Sequence, residues 1–501
     1  MLNKSIRKVV LSLVITLLVC VPLFSDKSST IEQDIKRYTL QNGATLLLLP
    51  RANAPIINCV SFVNVGSVRE REGITGISHF LEHLAFKGTE NIGTTDYSSE
   101  QEWLQRCEVL FDEIRLERSK GSDADESKLE KLNKELQSAM ANANEYVVDD
   151  EFSRFFEMNG GEGLNAATSY EMTIYMVNLP SNKLELWMLM EADRFTNPVF
   201  RQLYQEREVI LEEKRMTESS PYTRLSQKFL ENAFQEHPYR NPIIGTEEDI
   251  KSISNKEVRD YFEEHYGAEN LVFVIVGDIE PDNVLELANR HLINIPKGEK
   301  NRPLSVVEPK QTEERRFVVE DSAQPYMMIG YKVPPGTHKD SKVYNVIADI
   351  LGQGRTSRLY KVLVEEKKMA VSAFSYVGYP GRVFENLFVI GVIPAEGVSL
   401  EDCLVEVENQ VELLKEEMVT DEELSGVKKR SIKSSINRVK SGSGLAFQLA
   451  YYESLFDDYS LLFKELEEIE QINKADLMRV MQKTFVPENR TIGELKPKGG
   501  R

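Results

Sequence analysis

The chain has 501 residues, too many for one hydrophobic core, and its length predicts roughly three or four domain-sized units. A formal charge of -19 excludes a general polyanion binder, because an acidic surface repels phosphate backbones and anionic lipid; nucleic acid is not an expected partner. Hydrophobic content of 41% beside 28% charged residues is globular composition, so real cores are expected, and the acidity suits either solubility or a basic or unfolded polypeptide.

At the start, Lys4, Arg7 and Lys8 precede an apolar run over 9–24, with Ser25 before Asp26 and Lys27. This is the pattern of a signal peptide over 1–25, short for a membrane span. It implies export to a periplasmic location and no stable membrane span after cleavage. An uncleaved anchor is the main rival, and Cys20 invites a lipoprotein reading that Val19 fits poorly. The remaining Cys59, Cys107 and Cys403 are odd in number and scattered, which is no disulfide framework, and no CxxC pair occurs.

Residues 38–40 and 44–49 read as strands around Asn42-Gly43, a pair that supplies the positive backbone angles of a tight hairpin. A strand follows over 56–65, then a helical pattern over 77–86 that meets Gly88. Residues 98–146 are rich in Glu, Lys, Leu and Arg with no proline, and Ser98 with Gln101 resembles a capping box. They predict two amphipathic helices joined near 121–125, an inserted helical hairpin. Strand chemistry returns at 164–166 and 172–177, helices at 184–195 and 203–216, an apolar strand at 271–276 and a helix at 282–291.

Prolines and charges over 296–314 predict a linker. Beyond it, strands at 317–320, 327–332 and 371–376 and a helix at 343–351 repeat the first half faintly, and Pro487-Glu488-Asn489-Arg490 is similar to Ala268-Glu269-Asn270-Leu271. The fold class that follows is α+β, in two homologous halves over 35–295 and 315–495, each a mainly antiparallel sheet packed with helices.

His79 and His83 are four residues apart, so on a helix they share one face and can bind one ion through their ring nitrogens. Glu82, on the same turn, is placed to take a proton from a metal-held water. Imidazole suits zinc, and a carboxylate completes a three-ligand set with one position open. With six histidines in the chain, a chance HxxEH is rare. His237, His265, His291 and His338 lie outside any ligand spacing and read as surface or packing residues.

Residues 73–88, Gly-Ile-Thr-Gly-Ile-Ser-His-Phe-Leu-Glu-His-Leu-Ala-Phe-Lys-Gly, closely resemble the metal-site segment of the inverzincins, the metallopeptidase family of pitrilysin, insulysin and mitochondrial processing peptidase. The segments 206–213, His237-Pro238-Tyr239 and 242–250 agree. The resemblance implies two α+β halves forming half of a clam-like chamber, one zinc ion per chain, and a zinc endopeptidase acting on peptides or unfolded segments. It makes Glu213, last in its segment, the third ligand beside His79 and His83, with Glu82 as general base. Glu206, two helical turns before Glu213, falls on the same face and could orient a ligand, whereas Glu212 points to solvent. Leu164-Asn165-Ala166-Ala167-Thr168 matches the family's cleft strand, which makes Asn165 and Ala166 the expected substrate contacts through main-chain pairing. The interval between His83 and Glu213 exceeds the family's usual one, and the helical hairpin accounts for the excess.

The second half aligns Asn345 and Asp349 with the histidines and Ala348 with Glu82, so it cannot hold the same metal site. The family's substrate-holding arginine and tyrosine are replaced by valines in the segment 364–371. A valine cannot donate to an oxyanion. The expectation is therefore a related metal-free subunit supplying those groups, with a homodimer as the alternative assembly and Tyr360 or Arg358 of this chain as fallback donors. The rival class is a structural or binding subunit that keeps the fold without catalysis.

Overall fold

The structure is a computed structural model describing residues 31–499; the expected signal peptide, with Cys20, lies outside the described residues. Among the described residues eleven strands form two sheets: β1 Lys36–Thr39, β2 Thr45–Pro50, β3 Ile56–Val63, β4 Glu162–Thr168, β5 Thr173–Pro180, β6 Leu271–Gly277, β7 Arg315–Asp321, β8 Tyr326–Val333, β9 Ala370–Tyr379, β10 Asn386–Pro394 and β11 Arg490–Pro497. The helices of the first half are α1 Ile77–Leu84, α2 Tyr97–Arg118, α3 Glu126–Asn144, α4 Glu151–Met158, α5 Leu184–Thr196, α6 Leu203–Ser219, α7 Pro221–Ala233, α8 Glu247–Ser252, α9 Asn255–His265 and α10 Pro281–Arg290. Those of the second are α11 Ser341–Gly352, α12 Leu400–Glu416, α13 Asp421–Arg438, α14 Gly442–Phe456, α15 Leu461–Gln471 and α16 Lys474–Thr484.

The sheet orders are β1-β2-β6-β3-β5-β4 and β7-β11-β8-β10-β9. Apart from β1 they correspond in order strand for strand. Each contains a single parallel pair, β2 with β6 and β7 with β11, in an otherwise antiparallel sheet. The duplication expected from the similarity of 487–490 to 268–271 is thus a duplication of topology, with Ala268–Asn270 and Pro487–Asn489 each a short turn feeding the strand, β6 or β11, that joins the parallel pair to the antiparallel part of its sheet.

Burial on both faces explains why β6 is apolar throughout. In β6, Leu271, Phe273 and Ile275 join the first-half core with α1 and α5, while Val272, Val274 and Val276 face the other way and pack on Leu445, Leu449 and Ala450 of α14. The second sheet is covered reciprocally: Leu225, Phe229 and Leu230 of α7 pack with Met328, Leu387 and Val389. Each half therefore lends one helix to the other half's sheet. Gly330 permits this, because a Cβ there would lie 2.6 Å from the Phe229 ring.

Two local expectations are corrected. Only Gly43 of the Asn42-Gly43 pair has positive φ, 96°, in a wider turn closed by Leu40 and Ala44; the Asn42 amide instead donates to the carbonyls of Leu292 and Ile295 at 2.9 and 3.0 Å. The cap of α2 is Asp96, which accepts from the Ser99 backbone N–H at 3.3 Å, so Ser98 and Gln101 already lie within the first turns of the helix. The helical hairpin is present as α2 and α3. Its inner face, with Leu110, Ile114, Leu132 and Leu136, joins the first-half core, so it is no merely solvated appendage. The 296–314 segment has no helix or strand, yet its buried Glu308 pairs with Lys332 at 2.6 Å and accepts the backbone N–H groups of Gln235, Glu236 and His237.

Candidate metal centre

The apolar residues Ile77, Phe80, Leu81 and Leu84 recur at i, i+3, i+4 and i+7 and bury one face of α1 in the core. That anchoring turns His79, Glu82 and His83 to the opposite face. The helix begins at Gly76, whose φ of 90° only glycine adopts freely and whose absent Cβ lets the Ile244 carbonyl approach. No side chain of the Gly76 cap satisfies the first N–H groups. Glu70 does so instead, accepting from Gly76 and Ser78 at 2.7 and 2.9 Å, although burial pushes its carboxyl up to about 8.

Glu213, reached from α6 across the sequence, sets Oε2 at 3.7 Å from His79 Nε2 and 3.5 Å from His83 Nε2. Three donor atoms from these residues lie within 4.8 Å of one another. The Nε2–Oε2 distances exceed a hydrogen bond but approach the ~3.4 Å ligand-to-ligand edge of a tetrahedral zinc site with ~2.05 Å bonds. Burial, with the neighbouring His83, lowers His79 to about 4, which keeps its ring neutral and able to coordinate. The donor set and its spacing fit zinc.

Glu206 lies beside His83. The His83 Nδ1 N–H donates to Glu206 Oε2 at 3.3 Å, which leaves Nε2 turned toward Glu213. Lys87 closes the other carboxylate oxygen at 2.5 Å. Burial alone would lower His83, but the hydrogen bond to Glu206 and the charges of Glu206, Glu213 and Glu82 outweigh it and hold the ring above its usual value. Glu212 is exposed and pairs with Arg215, as expected. Burial raises the Glu82 carboxyl above the ordinary range, with Thr168 of β4 and the His83 ring opposing.

β4 is an outer strand of its sheet, paired on one side with β5 alone. Asn165 is exposed, whereas Ala166 is half-buried against the core, so a substrate contact at Ala166 is restricted to main chain. Sequence reasoning missed Lys87 and Thr168. Lys87 had a signal, lying four residues beyond His83; the approach of Thr168 to Glu82 depends on the pairing of β4 in the sheet. It also missed Arg201, whose guanidinium reaches Glu100 and the loop after α1 without any sequence pattern to reveal it. In the second half, Asn345, Ala348 and Asp349 sit on α11 as aligned. Arg358 is bound in two hydrogen bonds to Glu423, at 2.8 and 3.1 Å, and so is already committed. The four remaining histidines are packing or surface residues: His237 and His265 are buried, and His291 and His338 neighbour Glu185 and Asp340. Cys59, Cys107 and Cys403 are buried free thiols.

The family model described as insulinase (peptidase family M16) matches residues 47–104 and 120–247, skipping much of α2, and that of the M16 inactive domain matches 252–431. The chain is 28% identical over 472 residues to a Helicobacter pylori protein named zinc protease PqqE, covering 92% of each. It is 23% identical to the Bacillus subtilis uncharacterized zinc protease YmxG, covering 93% of this chain and 99% of that one. Among solved structures, a protease from Helicobacter pylori aligns with a TM-score of 0.76 at 26% identity, over 92% of this chain and 99% of that one. The periplasmic protease PqqL from Escherichia coli shares the fold, with a TM-score of 0.69 at 18% identity, over 92% of this chain and 47% of that one. These likenesses support a peptidase-type enzyme, and the chain belongs to the insulinase family of metallopeptidases, peptidase family M16.

Proposed function

We propose that the chain is a zinc-dependent endopeptidase, with one zinc ion per chain held by His79, His83 and Glu213. The observation that carries the reading is the convergence of two neutral-capable imidazoles and one carboxylate, with Glu82 on the same helical turn. Zinc bound there supplies Lewis acidity, acidifying water and polarising a peptide carbonyl. Glu82, its carboxyl raised by burial, accepts the proton of the attacking water and delivers it to the departing amine. Glu206 and Lys87 fix the tautomer and orientation of His83.

The open edge of β4 offers its main chain, and the side chain of Asn165, to an extended peptide or unfolded segment. Glu213 is 45% exposed at its side chain, so the centre opens on one side to solvent. A related metal-free subunit placed there supplies the arginine and tyrosine groups that this chain replaces by valine, which a homodimer of this chain does not. Export to the periplasm follows from the leader pattern over 1–25. Among the described residues no helix is long and apolar enough to cross a membrane.

The test is Glu82→Gln. It should retain zinc by elemental analysis and lose peptide cleavage by the typical factor of 10² to 10⁴ for an acid–base group. Full activity refutes the assigned base; a wild-type chain that binds no zinc and cleaves nothing with its partner present establishes a non-catalytic subunit instead.

A further inference from the structure

The duplication gives the second half a counterpart of the metal centre in which the chemistry has been exchanged. Asn345, Ala348 and Asp349 on α11 stand where α1 carries His79, Glu82 and His83, α13 packs on α11 as α6 packs on α1, and β9 is the outer strand that β4 is in the first sheet. Even the cross-helix contact persists in altered form: Ser431 donates to Asp349 at 3.1 Å, where Glu213 faces His83. Between these elements lies a cavity of about 510 Å³, and its walls include Arg382, Arg430 and Arg438.

Three guanidiniums around one cavity are unexpected in a chain of charge -19. Arg438 is matched, pairing with Glu465 at 2.9 Å. The other two hydrogen-bond only to neutral groups, although Asp349 is a charged neighbour of Arg430 and Glu171 of Arg382. Arg430 reaches Thr356 at 3.2 Å and the Asp349 carbonyl at 3.5 Å, and Arg382 reaches the Val377 carbonyl at 3.5 Å. The Nε groups of Arg430 and Arg438 are buried without a hydrogen-bond partner. The remaining acid at the wall is Asp349, whose carboxyl burial raises above its usual value, with Ser431 and Arg430 opposing. A guanidinium offers five N–H donors in a planar fork matched to a carboxylate, and here most of that capacity is unused.

We propose that this cavity binds a carboxylate of the peptide substrate, either its C-terminus or an acidic side chain, through Arg382 and Arg430 with Ser434 as a neutral donor on the same wall. The inference rests on the chain handling peptides, and it makes the metal-free half a recognition element for substrates bearing a negative charge.

The test uses the full-length Glu82→Gln chain, which holds peptide without consuming it, and three fluorescein-labelled peptides of one sequence: a C-terminal acid, its C-terminal amide, and the amide with one glutamine replaced by glutamate. Fluorescence anisotropy should show the C-terminal acid or the glutamate peptide bound about tenfold more tightly than the neutral amide, the size expected of charge-assisted hydrogen bonds. Which of the two is preferred identifies the source of the carboxylate. The ratio should fall toward one in Arg382→Gln and in Arg430→Gln; because it is internal to each protein, a folding defect weakens all three peptides together. Equal affinity for all three in the parent chain, binding of none, or an undiminished ratio in both arginine variants overturns the proposal. Cleavage by the wild-type chain is read separately. Cleavage of all three peptides without selective binding removes the carboxylate site alone, whereas selective binding without any cleavage removes the peptidase reading alone.

Discussion

Arg201→Met tests whether the loop that follows the metal helix is held from within the core. Arg201 is 1% exposed, and all of its donor nitrogens are used: Nε and Nη2 bind Glu100 at 2.8 and 3.1 Å, Nη1 binds the carbonyls of Lys87 and Ile92, and Nη2 also binds that of Thr89. Methionine fills much of the volume but supplies no donor. Glu100, fully buried, is left as an unpaired charge, which costs about 3–5 kcal/mol when one member of a buried pair is removed. At about 2–4 °C per kcal/mol for a unit of this size, the melting temperature should fall by roughly 6–20 °C. Neutralising the stranded partner as well, in Arg201→Met with Glu100→Leu, should recover a large part of that loss, because a buried ion pair contributes little net stability over apolar replacements. Lys87 belongs to the same loop and holds Glu206, so the single variant should also bind zinc more weakly. Differential scanning calorimetry and chelator competition measure both effects. A single variant within about 1 kcal/mol of wild type, or a double variant no better than the single one, refutes the reasoning.

Glu206→Gln retains the shape but removes the charge that orients His83, and zinc affinity should fall about 10- to 100-fold in competition with a fluorescent chelator; unchanged affinity would show that the His83 tautomer is set elsewhere. Phe229→Ala empties a fully buried site between α7 and the second sheet, and urea titration should show a loss of about 3–5 kcal/mol. For His237, burial lowers the ring to about 4, with Glu308 opposing and Lys332 assisting. Its folded value lies below the unfolded ~6.5, so between those limits the unfolded chain binds more protons and stability falls as pH drops. The contribution is complete above about 6.5, amounts to roughly 3 kcal/mol, and is gone by about 4. His237→Asn should lose that part of the acid slope in stability curves measured from pH 7 to 4, and an identical slope in both proteins refutes the assignment.

Whatever one helical turn or one strand period can encode was legible in the order of residues. His79, Glu82 and His83 share a face because 3.6 residues make a turn, and Glu206 falls below Glu213 for the same reason. The hairpin followed from composition, and the loss of metal chemistry in the second half from side chains that have no ligand atoms to offer in the right places. Packing over long separations decided the rest. No spacing announces that Arg201 meets Glu100, that α7 and α14 exchange sheets, that Thr168 lies against Glu82, or that three arginines from a strand-connecting loop and α13 surround one cavity. Even local propensity yielded to this: the Asn42 side chain serves the carbonyls of Leu292 and Ile295 rather than a two-residue turn, because buried carbonyls from elsewhere in the chain must find a donor. Periodicity fixes which residues share a surface; only the closed fold decides which surfaces meet, since that choice is made by the burial of all of them at once.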